Sequence, residues 1–393
     1  MPNLARYVFE KPSPWRKDEV FHSGDAFVSS LEEAIRHARE TIDLETYIYN
    51  DDDYGRSLTL LLKEAAASGV RVRVLVDGVG SPVWAIRFLP EMTEAGVEGK
   101  VFHPLPWVFW SYSMARRKGF NGLLKLFQKL NQRNHRKVCV VDRKSAWLGS
   151  MNISACHLEK IFGRRAWRDT GVRVEGEGVA QLTAAFEKAW RRSRGKQKGV
   201  RRAFLRLFKR DRQIHPLVRL NDTRTKRAFY HDDLLDRISQ VRRRVWITNA
   251  YFVPNGELVR ALREAAFAGV DVRIIVPRKS DVFFIRWVAA AFYGGLLESG
   301  VRIFEYSPTI LHAKTILIDE WACVGSSNLN YRSLLHDLEV DVVVTGKTAH
   351  AALEAQFGED QKNSREVFIP DWKRMSWIER WGGRIALLFK YWL

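Results

Sequence analysis

Cysteine is nearly absent. Cys139, Cys156 and Cys323 are the only three in 393 residues, too few and too scattered for a disulfide framework. Cys139 and Cys323 sit in apolar runs and read as small buried hydrophobes of a reducing compartment. No Cys/His cluster has the spacing of zinc ligands, so neither a metal site nor a cofactor is expected. No run of roughly 18 or more apolar residues occurs, so no segment should span a bilayer. Residues 1–17 are polar, with prolines, and lack a signal-peptide profile. Acidic residues are in deficit: 45 Asp and Glu face 64 Lys and Arg, a formal net charge of +19. That imbalance implies an anionic partner, either nucleic acid or an acidic membrane surface. Apolar residues are plentiful at 46%, which supports substantial cores and excludes global disorder. A chain of this length usually makes two domains.

One short pattern occurs twice: His135-Arg-Lys137-Val-Cys-Val-Val-Asp142 and His312-Ala-Lys314-Thr-Ile-Leu-Ile-Asp319. Each copy leads to a small polar turn, Gly149-Ser150-Met151-Asn152 and Gly325-Ser326-Ser327-Asn328. The flanking residues are apolar and β-branched, as in buried strands. Residues i and i+2 of a strand share a face, so His135 with Lys137, and His312 with Lys314, should each enter one pocket together. These six motif residues form the candidate catalytic set. Asp142 and Asp319 lie at an odd offset from their lysines and are expected to brace the backbone.

The duplication extends beyond the motifs. Gly69-Val-Arg-Val-Arg-Val-Leu-Val76 matches Gly269-Val-Asp-Val-Arg-Ile-Ile-Val276, and Glu94-Ala-Gly-Val97 matches Glu298-Ser-Gly-Val301. Asp169-Thr-Gly-Val-Arg-Val-Glu-Gly176 aligns with Glu339-Val-Asp-Val-Val-Val-Thr-Gly346. A period of about 200 residues is a domain duplication rather than a solenoid. Strand and helix alternate within each copy, which predicts an α/β fold with largely parallel or mixed sheets. The expected layout is a first domain over residues 1–190, a basic amphipathic linker over 191–212, a second domain over 213–370 and a tail over 371–393.

Three basic, apolar-striped segments fall outside the repeat. Residues 105–130 carry Trp107, Phe109, Trp110 and Tyr112, then Arg116-Arg-Lys118. The linker sets Val200, Ala203, Phe204, Leu207 and Phe208 among arginines. The tail alternates Trp377, Trp381, Leu388 and Trp392 with Arg374, Arg380, Arg384 and Lys390. Such helices suit a membrane interface, so an anionic phospholipid surface is expected as the partner and nucleic acid is not.

The paired motifs resemble the phospholipase D superfamily, over roughly Asp25 to Val344. The run from Gly325 to Glu339, Gly-Ser-Ser-Asn-Leu-Asn-Tyr-Arg-Ser-Leu-Leu-His-Asp-Leu-Glu, is similar to the bacterial cardiolipin synthases of that superfamily. Many of those carry two N-terminal transmembrane helices. This sequence has none and resembles the shorter type, peripheral to the cytoplasmic side of the inner membrane. The resemblance implies two α/β/α halves about a pseudo-twofold axis, with the site between them. It further implies phosphatidyl transfer between two phosphatidylglycerol molecules, with His135 as nucleophile and His312 as acid/base. Water or another alcohol as acceptor, or a nucleic-acid phosphodiester as substrate, are the alternatives.

The chemistry fits these residue types. Lys137 and Lys314 would neutralise phosphodiester charge, helped by Ser150, Asn152, Ser326 and Asn328. A nucleophilic imidazole needs its other nitrogen held by a carboxylate, and the register-matched Asp169 and Glu339 are the candidates. Lone histidines such as His22, His103 and His157 are expected to be structural or superficial.

Overall fold

The computed structural model describes residues 8–9, 14–104, 132–193, 213–282 and 285–375. The expected membrane segments therefore lie almost wholly outside the described residues. Within the described residues two mixed sheets carry the fold. The first has seven strands in the order 17–21, 171–175, 145–149, 138–141, 41–46, 71–77 and 98–102. The second repeats that order with 218–220, 340–344, 321–325, 314–318, 244–249, 271–277 and 302–306, then adds an edge strand at 364–367. In both, the first four strands and the fifth pair antiparallel, and the last three of the shared seven run parallel. The parallel strands are the βαβ part of each repeat, and their crossover helices supply the cover that a sheet buried on both faces needs.

Local sequence explains the repeat. Helix Asp53–Ala67 is capped by Asp52, whose carboxylate accepts from the Gly55 amide, and helix Gly256–Phe267 is capped in the same way by Asn255. Both helices stop at a glycine in the left-handed region, Gly69 at φ 89° and Gly269 at φ 87°. The amides of Gly69 and Val70 bond the carbonyls of Ala66 and Ala65, and those of Gly269 and Val270 bond Ala266 and Ala265. This is a Schellman stop, in which glycine supplies the left-handed residue and a following apolar residue packs back. The helix then hands over at once to a parallel strand.

The lobes share a core. Val138, Val140, Ala146 and Leu148 of the first sheet cluster with Leu317, Ala322, Val324 and Val340 of the second. Trp15 is 7% exposed and its indole N–H donates to the Val343 carbonyl at 2.8 Å. Asp18 accepts from the Thr345 and Gly346 amides. Past the second sheet, helix Ile369–Arg374 lays Trp372 on helix Ile285–Leu297, donating to the Ala290 carbonyl. Packing of the second lobe thus runs beyond the expected boundary at 370. Among the described residues no helix is long and apolar enough to cross a membrane.

Candidate active site

Both motif histidines lie just before a strand, not within it. The first strand begins at Val138 and the second at Lys314, so the expected strand placement of His135, Lys137 and His312 is corrected by one to three residues. The reason is a change of partner. Just ahead of each histidine the chain leaves its own sheet and bridges the opposite lobe, Asn134 to Leu338 and Leu311 to Arg168. The His135 amide donates to the Leu338 carbonyl, and the His312 amide to the Arg168 carbonyl. Two symmetric crossings therefore bring the halves of the duplication together at their motifs.

The crossings place each orienting carboxylate against the other lobe's histidine. His135 Nδ1 lies 3.0 Å from both carboxylate oxygens of Glu339, and His312 Nδ1 lies 2.8 Å from Asp169 Oδ1. A carboxylate on Nδ1 fixes the tautomer and leaves Nε2 for chemistry. The lysines fold back on their own histidines: Lys137 Nζ donates to the His135 carbonyl at 2.6 Å and Lys314 Nζ to the His312 carbonyl at 2.5 Å. Tyr47 stands beside His135, with ring centroids 4.9 Å apart, and Trp167 beside His312 at 5.5 Å.

Burial governs the charge states. It lowers Lys137 to about 7 and Lys314 to about 8, against the pull of Glu339 and Asp169. Burial, then the neighbouring lysine, brings His312 to about 4 and holds His135 well below its ordinary value. The carboxyls diverge. Burial opposes ionisation of Asp169, but His157 and His312 overcome it and hold the group well below the usual range. Burial wins at Glu339 and pushes it up in spite of Lys137, Ser326 and Ser333. The imidazoles of His135 and His312 are thus held neutral near pH 7, beside two lysines poised near neutrality. An incoming phosphodiester anion favours the charged form of each.

The remaining motif residues take different places. Asp142 sits at φ 50° and its carboxylate accepts from the Arg39, Glu40 and Thr41 amides. Asp319, at φ 47°, does the same for Arg242, Arg243 and Arg244. These two belong to the scaffold rather than to the catalytic set. Ser150 and Ser326 are fully buried. The Ser150 hydroxyl bonds the carbonyl and amide of Thr170, and Ser326 bonds those of Val340 while donating to Glu339 at 2.6 Å. Their hydroxyls fasten the strands that carry Asp169 and Glu339, which corrects the expected phosphate contact. Asn152 Oδ1 accepts from the Ile48 amide, whereas Asn328 Oδ1 is buried without a partner among the described residues.

His157 was not foreseen. It is 2% exposed, donates from Nδ1 to Asp169 Oδ2 at 2.7 Å and accepts the Asn152 amide on Nε2 at 3.2 Å. Ser333 occupies the same station in the second lobe, accepting the Asn328 amide and donating to Glu339 at 2.7 Å. Both lie five residues beyond the Asn of the polar turn, and that shared offset was the available signal. Both His22 nitrogens lack a partner among the described residues, and His103 stacks on Phe102.

Residues 31–190 and 234–361 match the family model described as cardiolipin synthase, phospholipase D-like domain. The chain is 34% identical over 370 residues to cardiolipin synthase B of Salmonella typhi, covering 92% of this chain and 83% of that one. It is 30% identical over 371 residues to cardiolipin synthase of Halalkalibacterium halodurans, covering 92% and 69%. Among solved structures, phosphatidylserine synthase of Haemophilus influenzae superposes with a TM-score of 0.69 at 14% identity, over 96% of this chain and 95% of that one. That last likeness speaks for the fold alone. Duplicated topology, crossed histidine–carboxylate pairs and these matches over most of the chain agree: the chain belongs to the cardiolipin synthase family of phospholipase D-like enzymes.

Proposed function

We propose that this protein joins two phosphatidylglycerol molecules into cardiolipin and glycerol through a phosphohistidine. The observation that carries the reading is the crossed pairing of His135 with Glu339 and His312 with Asp169. It equips two imidazoles from opposite lobes for one phosphorus atom. His135 Nε2 attacks the phosphorus of the first lipid as Lys137 and Lys314 neutralise the equatorial oxygens. His312 protonates the departing glycerol oxygen, then takes the proton of the incoming hydroxyl as that oxygen displaces His135. The two carboxyls support this division. Asp169, held ionised, favours a proton on His312, while Glu339 has less hold on one at His135. The scheme uses no metal or cofactor.

The site works at an anionic phospholipid surface. Segments 105–130 and 191–212, and the tail 371–393 where it runs beyond the docked helix Ile369–Arg374, are assigned to that contact as appendages of two catalytic lobes. The turn at 159–165 favours the same partner: Ile161 and Phe162 are 38% and 39% exposed, set among Lys160, Arg164 and Arg165. Apolar tips framed by cations suit the headgroup region. A peripheral position on the cytoplasmic face of the inner membrane follows from this reading.

The test is to incubate purified protein with phosphatidylglycerol vesicles, with and without phosphatidylethanolamine, and identify products by mass. Cardiolipin and glycerol from phosphatidylglycerol alone are expected. Phosphatidic acid as sole product would make the protein a hydrolase, and cleavage of oligonucleotides in its place would make it a nuclease.

A further inference from the structure

The duplication provides an internal control for packing, and the two lobes differ at one place. Between sheet and helices in the first lobe, beside Lys137, the cavity is about 20 Å³ and is bounded by Phe27, Trp147 and Met151. Beside Lys314 in the second lobe it is about 120 Å³. Strand register identifies the substitutions. Trp147 pairs with Cys139, and the matching pair is Cys323 with Ile316. Gly171 pairs with Gly149, and the matching pair is Asp341 with Gly325. Phe21, opposite Gly171, becomes Arg219, opposite Asp341. Met151, two residues past Gly149, becomes Ser327. A Cβ on Gly171 would stand 2.3 Å from the Phe27 ring, so the first lobe is closed. The second lobe has the smaller Cys323 and Ser327 where the first has Trp147 and Met151, and the charged Arg219 and Asp341 where the first has Phe21 and Gly171.

The chamber lining offers an unpartnered acceptor, Asn328 Oδ1, and an unpartnered donor, Arg227 Nε, among the described residues. Arg219 bonds Asp233 and the Tyr230 carbonyl, and the Nη atoms of Arg227 bond the Leu335, His336 and Asp337 carbonyls. Asn328 is 6% exposed and lines the chamber with Oδ1 unpartnered. Asp341 accepts from the Ser327 amide and hydroxyl, and burial pushes it up to about 6 against the pull of Ser327 and Arg219. A buried acceptor with no donor is costly. A hydroxyl, which both donates and accepts, would satisfy Asn328 Oδ1 and Arg227 Nε alike. Arg227, His231, Asn255 and Leu334 also line a surface depression, which gives the chamber a mouth.

We propose that this chamber seats a neutral polyol headgroup and presents it past Lys314 as acceptor of the transferred group. The inference rests on the phosphatidyl-transfer reading and names where acceptor choice is made. In the second step the seated hydroxyl oxygen forms the new P–O bond as the P–N bond to His135 breaks, and its proton passes to His312.

The test uses the full chain on phosphatidylglycerol vesicles, with deuterated glycerol and ethanol at equal concentration as competing acceptors. Labelled phosphatidylglycerol and phosphatidylethanol are quantified by mass. A site built around hydroxyl donors should prefer glycerol by at least about tenfold. Ser327→Met, Cys323→Trp and Asp341→Asn should each cut that ratio by about tenfold or more. Because the ratio is internal to each preparation, loss of folded protein lowers both products alike and leaves it unmoved. An unchanged ratio in all three variants overturns the chamber while leaving transfer intact. Phosphatidic acid with neither transfer product from the unsubstituted protein overturns the transfer reading, and the chamber with it.

Discussion

At the scale of the residue, the site is a set of buried ionisable groups whose charge waits for substrate. Lys137 near 7 and Lys314 near 8 are both protonated below neutrality and both neutral well above it. Affinity for an inert phosphodiester should therefore fall as the pH rises from about 6 to about 9, by about tenfold or more for loss of two charge-assisted contacts. Calorimetric titration at several pH values checks this, and a flat profile would contradict the lysine assignment. Asp169→Asn and Glu339→Gln should each lower kcat by about 10²- to 10⁴-fold while the chain stays folded, because the amide favours the wrong imidazole tautomer. The histidines and lysines were legible from the doubled motif, and the carboxylates from the aligned downstream strands. Which carboxylate serves which histidine was not legible, since local pattern carries no information on chain crossing. The place of His157 was not legible, because a single histidine carries no signal apart from its counterpart Ser333 at the same offset.

At the scale of the element, the repeat is maintained by backbone devices. Asp142 and Asp319 each close a strand connection in a left-handed conformation and gather three amides. Asp142→Ala should cost about 2 kcal/mol of stability by orphaning those donors and straining a non-glycine turn. Denaturant titration measures it, and unaltered stability would return Asp142 to a catalytic role. Gly69→Ala and Gly269→Ala should each cost about 1–2 kcal/mol, since both positions lie in the left-handed region. Strand and helix alternation was legible from periodicity and from the Gly-Val handovers. The start of the motif strands was not. An apolar run shows where a strand can form, whereas the opposite lobe decides where His135 and His312 leave it.

At the scale of the molecule, function depends on two lobes meeting at their motifs. Separate halves would each hold a histidine without its carboxylate. A double-mutant cycle across the lobes should be strongly non-additive: His135→Ala with Glu339→Gln should be no worse than His135→Ala alone. Independent losses that multiply would mean that Glu339 acts elsewhere. The duplication and the mixed α/β class were legible in the sequence. The asymmetry between the lobes became visible only when strand register set Trp147 against Cys323 and Gly171 against Asp341. The most direct measurement follows from the crossed geometry. His135→Ala and His312→Ala are mixed separately with phosphatidylglycerol, quenched under alkaline conditions, and their peptides analysed by mass for a phosphatidyl adduct. The two-histidine scheme requires an adduct on His135 in the His312→Ala protein, no adduct in the His135→Ala protein, and turnover reduced by at least about 10³-fold in both. An adduct in the His135→Ala protein, or full turnover by either, would contradict it.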